Sequence, residues 1–320
     1  MAAEAPPPAP APAPPAPGSA PPAPPGGAPA PGAAPARAPG AEGGSGAGGA
    51  GGGWRALRRR AELWEGPGAG AGVATEAGAG RLARRAGRVE DGEGAVLVEL
   101  AGDGYRAWLD REAWERAEPA QGPVAAGGAG TGPGGGGPGP GPAAAAAAER
   151  LARGSGPYLW GGCLGPRYDC SGFVQAAFLE GAGAWLPRDA YQQCAFADPV
   201  PREEVRRGDL IFFAPPSSGG EEGSPSRTDH VGLCTGECKG RGGALRYLHS
   251  SGAAMGRGGV GEDVLPAPGQ PPAALTDPVS RRYAGRVAGF GRVAHGLQVG
   301  QAVPQAGFGD EPPRGEATAG

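Results

Sequence analysis

Short apolar runs separated by turn residues begin at position 61. Ala61-Glu62-Leu63-Trp64 is followed by Gly66-Pro67, then Gly94-Ala95-Val96-Leu97-Val98-Glu99-Leu100, then Tyr105-Arg106-Ala107-Trp108-Leu109 after a Gly-Asp-Gly turn. Strands at this spacing predict a small all-β unit, a barrel. Residues 81–89 fit a strand or a loop equally. Residues 143–153 have strong helix propensity and open a second unit. In that unit Phe173, Val174, Ala177 and Phe178 recur at helical spacing after Cys170, with Gly181 as the expected stop. Arg207-Gly208-Asp209-Leu210-Ile211-Phe212-Phe213 reads as a buried strand. His230 opens the next strand, and His249 ends another at Leu245-Arg246-Tyr247-Leu248-His249.

Composition limits how much of the chain folds. Gly and Pro number 67 and 39 of 320 residues, without a strict period, which is the signature of low complexity. The first 53 residues hold no aromatic side chain and three charges, Glu4, Arg37 and Glu42, too little to offset the entropy of ordering. The expected layout is a tail over 1–53, a β-barrel over 54–118, a linker over 119–142, a second domain over 143–295 and a tail over 296–320. Two Gly- and Ser-rich inserts, 215–228 and 237–243, belong on surface loops.

A net charge of −3 gives no nucleic-acid footprint, and no apolar run is long enough for a membrane span. The start lacks the basic and apolar regions of a secretory signal. The Met1-Ala2-Ala3 opening leaves a transit peptide open, although the segment is poor in Arg and Ser, so a cytoplasmic or plastid setting is expected. Five cysteines, Cys163, Cys170, Cys194, Cys234 and Cys238, are an odd number without zinc spacing. They suit a reduced compartment with one reactive thiol and neither metal nor cofactor.

The candidate chemistry centres on Cys170. At the first turn of a helix, unpaired N–H groups and the helix dipole favour thiolate, the form a nucleophile needs. A buried inert thiol is the alternative. Two of the three histidines, His230 and His249, sit at strand ends downstream, and a Cys–His pair oriented by a further polar group is a recurring hydrolytic set. A hydrogen-bonded structural role for His230 stays open.

Tyr158-Leu159-Trp160-Gly161-Gly162, Asp169-Cys170-Ser171-Gly172, Leu186-Pro187-Arg188-Asp189-Ala190-Tyr191-Gln192-Gln193, Arg207-Gly208-Asp209-Leu210, His230-Val231-Gly232 and His249-Ser250-Ser251 occur in that order. Over residues 145–293 this resembles the NlpC/P60 cysteine peptidases. Residues 63–67, 79–81 and 105–109 resemble the bacterial SH3 domain that precedes such peptidases. The resemblance implies an α+β, papain-like fold: a helix bearing the Cys packed on an antiparallel sheet, after an SH3-like barrel. It implies γ-D-glutamyl-L-diamino acid endopeptidase activity on murein peptides, with Cys170 as nucleophile, His230 as base and His249 orienting it. The Tyr158 hydroxyl and the Cys170 N–H would face the oxyanion. The free amine of an N-terminal L-Ala would meet Asp169, Ser171 and Tyr105, with Glu65 standing where an Asp or Asn is usual. Asp169 equally suits a helix cap, and Tyr105 equally suits barrel surface. A catalytically silent binding module, an acyltransferase or an amidase on the same fold are the alternatives. The insert at 237–243 separates His230 and His249 more than is usual. Cys163 or Cys194 is a candidate for trapping Cys170 as a disulfide under oxidation.

Overall fold

The computed structural model describes residues 53–68, 70–86, 94–123, 139–215, 228–237 and 243–297. Nearly all of the expected tails, most of the linker, all but the ends of both inserts, Cys238 and the far end of the 81–89 segment lie outside these residues.

The first part is a seven-stranded antiparallel sheet of β1 (Arg55–Ala56), β2 (Ala61–Trp64), β3 (Val73–Ala77), β4 (Leu82–Arg85), β5 (Ala95–Leu100), β6 (Arg106–Asp110) and β7 (Glu118–Pro119). The strands run in the order β3-β2-β6-β5-β4-β1-β7. The undecided segment thus contributes a strand, pairing Ala83 with Leu100. Asp110 ends β6 and caps the short helix α1 (Arg111–Arg116), its side chain accepting from Ala113 N at 3.0 Å. Leu63, Val96, Val98, Leu100, Leu109 and Trp114 form the core beneath this sheet. The structured chain runs past the expected boundary at 118, because β7 pairs back onto β1 and Ala120 N donates to Trp54 O.

The second part places helices against a six-stranded antiparallel sheet ordered β12-β11-β10-β9-β13-β8. Its strands are β8 (Asp198–Pro199), β9 (Leu210–Phe213), β10 (His230–Glu237), β11 (Leu245–Ser251), β12 (Gly259–Leu265) and β13 (Val287–Arg292). The helices are α2 (Gly141–Arg153), α3 (Cys170–Ala182), α4 (Ala190–Phe196) and α5 (Pro278–Ala284). All four residues of β9 are buried. Alternation along the strand sends Leu210 and Phe212 to the α3 side and Ile211 and Phe213 to the opposite core. On α3, Phe173, Val174, Ala177 and Phe178 meet Leu210, Val231, Leu233 and Leu248, as their spacing predicts. Full burial of each Phe, Val or Leu side chain among them contributes about 1.5–3 kcal/mol.

Two expectations need correcting here. The α3 helix does not stop at Gly181 but at Gly183, whose left-handed backbone (φ 63°) forms the cap. Gly181 serves packing instead: a Cβ there would stand 2.4 Å from Ala143 O, so its absence lets α2 and α3 touch backbone to backbone. His249 does not end its strand, since β11 continues to Ser251.

Candidate active site

Asp169 is the N-cap of α3, with Oδ1 accepting from Gly172 N at 2.7 Å and Oδ2 from Gly161 N at 3.0 Å. Cys170 is therefore the first residue of the helix. Gly172 is required one step further on, because a Cβ there would lie 2.1 Å from Gly162 O. The tight stacking of the 157–162 loop on the helix start thus sets where the thiol stands. The backbone N–H groups of Ser171 and Val231 face that thiol, which brings it to the start of β10, the strand that His230 opens.

The expected thiolate is not the resting state. Burial first, and the Asp169 carboxylate second, push Cys170 up to about 12, against the two N–H groups and Arg188 that favour the anion. The reason is position. Cys170 as a whole is only 8% exposed, and desolvation of a charge outweighs the pull of one helix end. His230 is also buried, and burial, then His249 and Arg286, hold it well below the ordinary 6.5. The resting pair is a neutral thiol and a neutral imidazole.

The two rings meet despite the insert between them: His230 Nε2 and His249 Nδ1 are 2.6 Å apart. The other nitrogen of His249 lies 2.5 Å from Asp263 Oδ2 on β12. Tyr283 of α5 packs on both imidazoles, with ring centroids 4.8 Å from His230 and 4.5 Å from His249.

Arg188 is the cation of the site and is 1% exposed. Its Nη2 and Nη1 donate to Asp169 at 2.6 and 3.2 Å, Nη1 also to Ser171 Oγ at 3.0 Å, and Nε to Thr75 Oγ1 of β3 at 2.8 Å. Asp169 therefore acts as cap and ion-pair partner together. Tyr105 reaches from the first sheet to the Asp189 carboxylate and donates its phenol hydrogen there. Burial and the charge of Asp189 drive the Tyr105 phenol well above its ordinary value. Burial raises Asp189 itself to about 6, with Arg188 opposing. Tyr158 adjoins Cys170 and Asp169, and burial together with those neighbours keeps its hydroxyl protonated. Glu65 stands exposed just past β2, its carboxylate beside Gly72, and no described contact links it to Cys170.

The two sheets are joined by buried polar bonds. Glu76 Oε2 accepts from the backbone N–H groups of Cys163 and Leu164 at 3.1 and 3.3 Å, and Gln175 Nε2 donates to Asp103 at 3.0 Å. The Cys163 thiol donates to Glu76 O at 3.3 Å, and both Cys163 and Cys194 are free thiols. Neither thiol is engaged with Cys170. Among the described residues, no group of three or more His, Cys, Asp or Glu side chains converges as metal ligands would.

The residues missed from sequence are Asp263, Arg188, Asp189 and Tyr283. Arg188 and Asp189 stand within a quoted motif without having been singled out. Asp263 and Tyr283 carry no local signal, since each acquires its place only when β12 pairs with β11 and α5 folds back.

A helix-borne cysteine packed on an antiparallel sheet, beside two linked histidines, is an α+β arrangement with the layout of a thiol hydrolase. Residues 154–258 match the NlpC/P60 family, and the chain carries an NlpC/P60 domain. A γ-D-glutamyl-L-lysine dipeptidyl-peptidase of Bacillus subtilis is 44% identical over 80 residues, 25% of this chain and 25% of that protein. A probable endopeptidase of Haemophilus influenzae is 36% identical over 104 residues, 32% of this chain and 53% of that one. The chain thus spans from a quarter to about half the length of these relatives. A solved NlpC/P60 family protein from Bacillus cereus is 20% identical over 75% of this chain and 63% of its own, with a TM-score of 0.33.

Proposed function

We propose that this protein is a cysteine peptidase that hydrolyses the γ-D-glutamyl–diamino acid bond of murein peptides bearing a free N-terminal L-Ala. The observation that carries the reading is the series His230–His249–Asp263, ending on a buried carboxylate, with Cys170 at the start of α3 and its thiol facing the backbone N–H of Val231, the neighbour of His230. The name of the Bacillus subtilis relative supplies the bond type.

In this reading the Cys170 sulfur attacks the γ-carbonyl carbon as its proton passes to His230. Transfer during attack suits a pair that rests neutral on both sides. The Cys170 N–H and the Tyr158 hydroxyl donate to the oxyanion; loss of one such donor typically costs about 10²–10³ in rate. His230 then gives its proton to the departing amine, leaving a thioester at Cys170. Water, deprotonated by His230, opens the thioester and restores the thiol.

The substrate ammonium lies between the two sheets in this proposal. Asp189, held by Tyr105, is its principal acceptor, with Ser171, Asp169 and Glu65 around it. Asp169 is balanced by Arg188, so the trio Asp169, Arg188 and Asp189 carries one net negative charge when Asp189 is ionised. The seven-stranded sheet, proposed as SH3-like, closes that end of the cleft and selects short peptides with an unblocked terminus.

The test is incubation of wild type and Cys170→Ala with L-Ala-γ-D-Glu-diaminopimelate and its N-acetylated form. Wild type is expected to release diaminopimelate from the free peptide alone, and the variant from neither. No release by wild type removes the peptidase reading. Equal release by both proteins removes Cys170 from it, and cleavage of the acetylated peptide removes the ammonium site.

A further inference from the structure

His249 is itself held. Its Nε2 faces Asp263 Oδ2, while Asp263 Oδ1 receives the Ser280 hydroxyl at 2.7 Å and is paired with Arg257. Arg257 also bonds Asp277 at 2.7 Å, and Asp277 caps α5 by accepting from Ser280 N at 2.7 Å. Both oxygens of Asp263 are therefore fixed, and the plane of the carboxylate with them. Register explains the reach: Tyr247 pairs with Asp263, so His249, two residues along β11, shows its side chain on the same face. Asp263, Ser280 and Tyr283 all lie beyond the stretch that matches the family.

We propose that Asp263 is a positioning residue whose carboxylate sets the tautomers of both histidines in series, leaving His230 Nδ1 bare toward the Cys170 thiol. The inference rests on the reading of Cys170 and His230 as the reacting pair. A carboxylate accepts hydrogen bonds and cannot donate one, so His249 carries its hydrogen on Nε2. Its Nδ1 is then an acceptor. The hydrogen in the 2.6 Å contact belongs to His230 Nε2, and a neutral ring protonated there has a free lone pair on Nδ1. A single buried charge thus decides, two rings away, which nitrogen can take the thiol proton.

Electrostatics agrees with the geometry. Asp263 is itself 1% exposed. Although burial opposes it, hydrogen bonds from His249 and Arg257 hold the acid down to about 2, so it stays an acceptor at any working pH. Asp263, Asp277 and Arg257 together carry one negative charge, which offsets the positive charge that appears on His230 during attack. Tyr283 packs on both rings, a contact that a flip of either ring, which would break the series, has to disturb.

Asp263→Asn is the test, because an amide can donate to His249 Nε2 and reverse every hydrogen in the line. The chain has only three histidines, so ¹⁵N-histidine NMR of the full-length protein resolves the tautomer of each. Wild type is expected to show His249 protonated on Nε2 and His230 bare on Nδ1. The variant is expected to show His230 protonated on Nδ1, with kcat on L-Ala-γ-D-Glu-diaminopimelate reduced about 10²–10⁴-fold, as for other wrong-tautomer variants, and KM within about twofold. Iodoacetamide capture of Cys170 is expected to slow in parallel, which reads the base without any peptide. Glu262→Gln, an exposed neighbouring carboxylate paired with Arg246, is expected to change none of these. Protonation of His249 on Nδ1 in the wild type overturns the proposal whether or not the variant folds. So does a folded Asp263→Asn protein whose tautomers and kcat stay within about threefold of wild type. Correct tautomers with no peptide release by wild type support the hydrogen series and refute the substrate instead.

Discussion

Replacing Arg188 by Met removes the cation that ties Asp169 and Ser171 to Thr75. Four side-chain bonds go: two to Asp169, one to Ser171 Oγ and one to Thr75 Oγ1 on the opposite sheet. What remains is a carboxylate whose side chain is 10% exposed and has lost its counter-charge. Breaking a buried pair from one side typically costs about 3–5 kcal/mol. Asp169 keeps its bonds from Gly161 N and Gly172 N, which places this case at the lower end, about 3 kcal/mol. For a folded unit of this size each kcal/mol lowers Tm by about 2–4 °C, so the fall should be about 6–12 °C. Urea and thermal denaturation of the full chain, followed by circular dichroism at neutral pH, measure it. Asp169→Asn retains a good helix cap while deleting the stranded charge, so adding it to Arg188→Met should return more than about 1 kcal/mol. A loss below about 1 kcal/mol for Arg188→Met, or no recovery in the double variant, would show that the pair does not act as a buried ion pair.

The acidity of Asp189 gives a second expectation. Its folded value of about 6 lies above the ordinary 3.8, so the acid takes up a proton as pH falls through 6 and ceases to attract an ammonium. The ratio kcat/KM should therefore drop below about pH 6. In Asp189→Asn that limb should vanish, with KM raised at neutral pH. The linkage runs the other way for stability: the raised value favours the fold fully below 3.8, and this contribution is lost as pH rises through 6. Asp189→Asn should thus be more stable than wild type at pH 7 by at most about 3 kcal/mol, read by denaturation. Gly172→Ala forces a methyl group onto Gly162 O and must shift either the loop or the helix start. Overpacking of this kind costs about 1–3 kcal/mol, and displacement of the thiol by about 1 Å lowers kcat by about 10²; denaturation and steady-state kinetics check both.

Local chemistry was legible in the sequence wherever neighbours along the chain settle it. Asp169 before Cys170 reads as a cap, the spacing of Phe173, Val174, Ala177 and Phe178 reads as a buried helical face, and His230 opens its strand as expected. What could not be read depends on burial or on distant pairing. A helix start argues for thiolate, but no linear pattern shows that Cys170 will be nearly sealed, and it is the sealing that decides its acidity. Gly181 looked like a terminator because glycine suits one, whereas its place is set by the backbone of α2 across the interface. Asp263 stands in β12 as an ordinary charged residue until the β11–β12 register brings it under His249. Asp189 and Tyr105 are far apart in sequence and acquire a shared role only when the two sheets meet.

The buried bonds from Glu76, Asp103 and Thr75 into the second part dictate how one half docks on the other. The first sheet is thereby part of the solvent of the second: a chain cut loose from it would bare an arginine and several amide hydrogens that water alone would have to satisfy.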